Sequence, residues 1–165
     1  MQAYGHQSGL LKNILKSCLE YLKIRLYGGG NYFTKDLPES QGWLIWDKQH
    51  PEGIKFADCE LAWTSFDQAT RIFRYMWNGM LQGDMKNKEN RIHPTQKPVR
   101  LYTWILNEFA KAGDKILDTH VGSASSLIAC ERMGFQYVGF EIDKTYYDLA
   151  SKRLEEERAQ VTWNL

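Results

Sequence analysis

Asp118, Gly122 and Glu141 are the residues whose types and spacing point most directly to binding chemistry. Asp118 closes the apolar tetrad KILD, and the small-residue turn THVGSAS follows it. Glu141 stands in GFEID, at the end of a second apolar run. A carboxylate at the end of a strand can accept both hydroxyl hydrogens of a ribose. A pyrophosphate, by contrast, needs several glycines so that the backbone can wrap around it. This turn has only Gly122, followed by the small residues Ser123 and Ala124. The pattern fits a nucleoside ligand without a pyrophosphate. The bland alternative is an ordinary strand–turn–helix with solvated acids.

The helix start at Ser123–Ser126 favours a nearby carboxylate. S-adenosylmethionine combines an adenine, a ribose and a carboxylate and has no phosphate. The elements needed to position such a site are legible. KILD reads as a strand, Ser123 or Ser125 as the cap of a helix running to about Met133, and Gly134 as its stop. QYVGFEID reads as a strand ending in acids. A last helix starts near Lys144 and carries Tyr147, Ala150 and Leu154 inward. Val99, Tyr102, Leu106 and Phe109 mark a helix before KILD, with Gly113 as its stop. Helix and strand alternating in this way argue for a parallel sheet with right-handed crossovers. Ligands of such sheets sit beyond the carboxyl ends of the strands.

Upstream, Leu11, Ile14, Leu15, Cys18 and Leu22 form a helical stripe over 9–22. KIRLY, GWLIWDK, CELAWTSF and TRIFRYMW read as strands, and the glycines at 28–30 break the first. Residues 78–91 show no periodicity and read as a loop. The 165 residues are 43% hydrophobic and 25% charged, which suits one domain. No apolar run approaches the roughly 18 residues of a membrane span. The first ten residues lack the charged-then-apolar pattern of a secretory signal. Cys18, Cys59 and Cys130 form no C-x-x-C pair and read as buried free thiols, with neither a metal site nor a disulfide framework. The net charge is +1, yet residues 71–100 hold seven basic residues against two acids. That local excess fits phosphate contact or, equally, a solvated loop. The C-terminal run DKTYYDLASKRLEEERAQ mixes signs and reads as a solvated helix face.

HPTQKPVRLYTWIL, followed by GDKILDTHVGSASSLIACERMGFQYVGFEIDKTYYDLASKRL, closely resembles the C-terminal half of the amino-methylating DNA methyltransferases. These enzymes modify adenine N6 or cytosine N4. The order resembles their beta arrangement, with the cofactor motifs last, and the resemblance covers about residues 91–155. It implies an α/β, Rossmann-like methyltransferase sheet flanked by helices, here incomplete. The implied cofactor is S-adenosylmethionine and the implied partner is double-stranded DNA in a bacterial or phage-infected cytoplasm, with no membrane. Asp118, Gly122 and Ser123 would form the cofactor loop. Glu141 would hold the ribose, and Ile142 would pack on the adenine. Thr95, Gln96 and Lys97 would lie by the methionine carboxylate, where a compact cation belongs. Lys86, Lys88 and Arg91, in the short target-recognition-like loop 78–92, would contact phosphates. His93 and Pro94 read as a rigid entry into the helix. His120 would line the pocket without acting as a base, and Ala124 stands where relatives more often have glycine.

The family's catalytic motif, an Asp/Asn/Ser-Pro-Pro-aromatic loop, orients the exocyclic amine and stacks on the flipped base. Pro38, Pro51, Pro94 and Pro98 are never adjacent, so this sequence contains no such motif. No catalytic residue is therefore assigned, and the chain alone is expected to be inactive. The alternative is a non-catalytic cofactor- or DNA-binding remnant or subunit. The central strand that carries the motif would be replaced by a rearranged sheet, by a strand from another chain or a homodimer partner, or by direct pairing of KIRLY with KILD.

Overall fold

The computed structural model describes residues 25–78 and 80–163. The helical stripe at 9–22 lies outside them. The described residues fall into two compact units, divided after Asn78.

The first unit is a four-stranded sheet. Its strands are β1 (Leu26–Gly28), β2 (Trp43–Asp47), β3 (Cys59–Thr64) and β4 (Arg71–Arg74), in the order β1-β3-β2-β4. β3 runs antiparallel to β1 and β2, and β4 runs parallel to β2. β3 and β4 are consecutive, yet β2 lies between them. Burial alternates along β2, with Leu44 and Trp46 inward. Trp63 donates its indole N–H to the Pro38 carbonyl at 2.8 Å, and Trp46 donates to the Tyr75 carbonyl at 3.0 Å. Large rings are thus buried without orphaning their N–H groups. Gly30 has a steric reason, since a Cβ there would stand 2.7 Å from the Trp63 backbone nitrogen. A two-residue strand β5 (Trp77–Asn78) ends the unit.

The second unit contains β6 (Leu81–Gln82), α1 (Val99–Phe109), β7 (Lys115–Asp118), α2 (Ser125–Met133), β8 (Gln136–Gly139) and α3 (Lys144–Trp163). β7 and β8 pair in parallel, with Asp118 opposite Gly139. Val99, Leu106, Ile128, Ala129 and Cys130 form the core, and Ile116 and Tyr137 pack against it from the strands. Leu117 and Val138 are register partners on the opposite face and are exposed.

Several expectations are corrected. Of the three outcomes open for the central strand, direct pairing of KIRLY with KILD is not found among the described residues: β1 takes β3 as its neighbour, and β7 takes β8. Neither Ser123 nor Ser125 caps α2 through its side chain. The cap position is Ala124, in a left-handed conformation (φ 60°), with no side-chain hydrogen bond. Gly134 does end α2, at φ 72°. α1 stops at Phe109, and Gly113 instead supplies the φ of 89° in the following turn. Tyr147 is 52% exposed, whereas Ala150 is buried as expected. Asp143, read only as a strand-end acid, accepts the Thr145 and Tyr146 amides at 2.8 and 3.1 Å and so starts α3. Cys59 is exposed, Cys130 is buried, and Cys18 lies outside the described residues.

Candidate cofactor site and its supporting loop

The ends of β7 and β8 are zipped together. The Phe140 amide donates to the Asp118 carbonyl at 2.9 Å, and the Val121 amide donates to the Phe140 carbonyl at 3.0 Å. This brings the turn after β7 against the acid after β8. The Gly122 amide then donates to Glu141 Oε2 at 2.8 Å. Glu141 Oε1 accepts the Asp143 amide at 3.0 Å. Each carboxylate oxygen keeps a further lone pair for a hydroxyl donor. Asp118 serves the turn from below. Its Oδ1 accepts the His120 amide at 2.9 Å, and its Oδ2 accepts the Ser126 hydroxyl. Asp118, Gly122, Ser123 and Glu141 are therefore brought to one place.

Ser123 is buried and its hydroxyl meets that of Ser125 at 3.0 Å. Ile142 is 85% exposed beside Glu141, so its apolar surface is available to a planar ligand. His120 is exposed and shares a hydrogen between Nδ1 and the Thr119 hydroxyl at 2.9 Å.

The 91–98 segment meets the same turn through His93. A Cβ added to Gly122 would stand 3.6 Å from the His93 ring, which itself lies edge-on to Tyr146 with centroids 4.2 Å apart. Gly122 adopts φ 55°, a conformation that favours glycine. His93 Nδ1 also accepts the Thr95 amide at 3.2 Å. Thr95 is exposed and Lys97 half-buried. Gln96 is buried and differs from both. Its amide oxygen accepts the Ile92 amide at 2.9 Å, and its amide nitrogen donates to the Asn90 carbonyl at 3.0 Å. Gln96 therefore shapes the segment that presents its neighbours.

Lys86, Lys88 and Arg91 are all exposed on the adjoining loop. That loop is built and closed. Gln82 and Glu89 bond reciprocally at 2.8 Å, side-chain amide to carbonyl and backbone amide to side-chain oxygen. Asp84 Oδ1 accepts the Lys86 and Asn87 amides at 3.1 Å each. The result is a short turn with two lysines at its tip.

Two functional candidates were missed by sequence reading, Glu89 and Arg153. Arg153 does not belong to a solvated face: its side chain is 16% exposed and its guanidinium bonds Glu89, Ser123 and Ser125. Residues 150, 153, 154 and 157 follow the inward stripe of α3, and that periodicity was the available signal. Among the described residues, no cluster of His, Cys, Asp or Glu has metal-binding geometry, and no helix is long and apolar enough to cross a membrane.

Parallel strands with an acid at or just beyond each carboxyl end, joined by a small-residue turn and a helix, define an α/β, Rossmann-like half-sheet. The DNA methylase family profile matches residues 33–152, and the chain belongs to that family. Over 82 residues, half of this chain and 30% of the relative, it is 38% identical to the type II methyltransferase M2.DpnII of Streptococcus pneumoniae. Over 71 residues, 43% of this chain and 23% of the relative, it is 37% identical to the type II methyltransferase M.HpaI of Haemophilus parainfluenzae. The matched stretches thus span less than a third of these relatives' length. The crystal structure of M1.HpyAVI superposes with a TM-score of 0.51 at 22% identity, covering 80% of this chain and 72% of that one. That likeness concerns the fold.

Proposed function

We propose that this chain carries the S-adenosylmethionine-binding half of a DNA methyltransferase acting on an exocyclic amine, adenine N6 or cytosine N4. The observation that carries the reading is the 2.8 Å bond from the Gly122 amide to Glu141. It sets a ribose-type acceptor beside a close-approach turn that has too few glycines for a pyrophosphate. The donor set fits the group. Glu141 would take the ribose hydroxyls, and exposed Ile142 would cover one face of the adenine. Thr95 and Lys97 would face the amino-acid carboxylate, with Gln96 holding their backbone. Asp118, Gly122 and Ser123 would form the floor of the site. When bound, S-adenosylmethionine supplies an electrophilic methyl group on a sulfonium. Lys86, Lys88 and Arg91 would contact the phosphates of double-stranded DNA in the cytoplasm of a bacterial or phage-infected cell, which gives affinity without base reading.

The sequence has no adjacent prolines, so the amine-orienting loop is not among its residues. This favours a second reading, a non-catalytic cofactor- or DNA-binding remnant or subunit, partnered with an active chain. Calorimetry with S-adenosylmethionine tests the first claim. Saturable binding is expected, with ATP as a silent control and Glu141→Gln at least tenfold weaker, since the ribose hydroxyls and the part-buried Gly122 amide lose a charged acceptor. Absence of binding would overturn the reading. Labelled cofactor with mixed-sequence DNA tests the second: no incorporation by the chain alone is expected, and clear incorporation refutes it.

A further inference from the structure

We infer that Arg153 is a positioning residue that locks the Gly122–Ser125 turn in register with the segment leading into α1, acting through Glu89. The guanidinium serves three acceptors on two segments. Nη1 donates to the Ser123 carbonyl at 2.7 Å and to the Ser125 hydroxyl at 2.9 Å. Nη2 donates to Glu89 Oε2 at 2.7 Å. Glu89 then passes the restraint on. Its other carboxylate oxygen accepts the Val99 amide at 2.9 Å, at the start of α1. Pro98, at the cap position, offers no side-chain cap, so a glutamate ten residues before Val99 does that work.

The turn needs an outside support. Its cap residue, Ala124, holds a left-handed conformation that costs a non-glycine residue energy, and α2 has no side-chain cap of its own. Fixing the Ser123 carbonyl fixes the peptide plane before Ala124, two peptides along the same turn from the Gly122 amide that meets Glu141, and so restricts how far that amide can move. Both charged side chains are mostly shielded, at 16% and 19% exposure. Both terminal nitrogens of Arg153 and both carboxylate oxygens of Glu89 are bonded, which holds this shielded pair in place, and removal of one member leaves the other uncompensated. The fork geometry is specific to arginine, because a lysine has one nitrogen and cannot span Glu89 and Ser123 together.

This inference rests on the reading that the turn holds S-adenosylmethionine, and the test separates the two. The full chain is compared with Arg153→Lys, Arg153→Met and Glu89→Gln. Without ligand, amide exchange by mass spectrometry is expected to quicken in both 120–126 and 89–99 in all three variants. Arg153→Lys keeps the charge and is expected to melt within about 2 °C of the parent. It is nevertheless expected to bind S-adenosylmethionine about tenfold more weakly, because binding must then order a turn that the fork no longer holds. A purely structural ion pair would give the opposite pattern, with affinity following the melting temperature. Unchanged exchange in 120–126, or parental affinity in Arg153→Lys, overturns the inference. Should the parent bind no S-adenosylmethionine, the functional reading falls, and the exchange comparison alone decides the role of Arg153. Should Arg153→Met fail to fold, Arg153→Lys and Glu89→Gln still decide it.

Discussion

Gly139 runs so close beneath Leu127 that a Cβ built on it would stand 2.8 Å from Leu127 Cδ1, and 2.5 Å from Val121 Cγ2. No real methyl group tolerates either distance. Gly139 therefore allows β8 to approach α2, and Val121 sits immediately before Gly122. Gly139→Ala is expected to push Val121 and Leu127 aside and to cost about 1–3 kcal/mol, the usual penalty for overpacking. Urea unfolding measures it. A variant as stable as the parent would show that α2 and β8 have more room than their backbones leave.

Ala124 combines a left-handed backbone with nearly complete burial, at 1% exposure. Glycine there would relieve roughly 1 kcal/mol of backbone strain. It would also lose about 0.8 kcal/mol of buried methyl and gain unfolded-state entropy. These terms oppose one another, so Ala124→Gly is expected to change stability by less than about 1 kcal/mol. Ala124→Val is different, because a β-branched residue at φ 60° is strongly disfavoured. It is expected to cost more than about 2 kcal/mol in the same urea experiment, and a neutral valine would mean that the turn is not held in this conformation.

Much of the second unit was legible because its elements follow simple periods and stops. KILD, the helix ending at Gly134 and the helix from Lys144 needed no tertiary information. Glu141 and the turn were found for the same reason, since a strand end followed by small residues is a local pattern. Glu89 and Arg153 were hidden because their partnership spans 64 positions and neither residue type signals burial. The order of the first sheet was hidden as well: CELAWTSF and TRIFRYMW are adjacent in sequence, but β2 inserts between them, and that is a long-range choice. Tyr147 was misread because a regular stripe says which face can be apolar but not how far the neighbouring elements extend over it.

Glu131, Tyr137 and Arg158 form a network on the outer side of the core. The Tyr137 hydroxyl donates to Glu131 Oε2, and Arg158 donates to the Tyr137 oxygen at 2.7 Å and to Glu131 at 3.1 Å. The Tyr137 hydrogen bond, and then Arg158, hold the Glu131 carboxyl below its usual range. A carboxylate depressed in the folded state stabilises it above the ordinary value near 4.5 and loses that contribution as pH falls. Tyr137→Phe is expected to cost about 1 kcal/mol at pH 7 and progressively less below about pH 4.5. Thermal melts of both proteins from pH 3 to pH 7 measure the difference. A penalty independent of pH would mean that the phenol's contribution is packing alone.

Cys130 is fully buried in the α1–α2 core, and burial, followed by the Asp118 charge, pushes its thiol up to about 11. A raised thiol keeps its proton in the folded state, so its effect on stability is absent below the ordinary value of 9.0 and grows unfavourable between there and about 11. The thiolate is the reactive form, and both its scarcity and its burial protect this residue. Cys59 is exposed and lacks the protection of burial. In a Cys18→Ser background at pH 8, a thiol reagent is expected to modify Cys59 rapidly and Cys130 only on unfolding. Mass spectrometry of the labelled peptides distinguishes the two. Prompt labelling of Cys130 in the native protein would mean that the core beneath the 119–125 turn opens on its own, and every argument that treats that turn as held from below would have to be withdrawn.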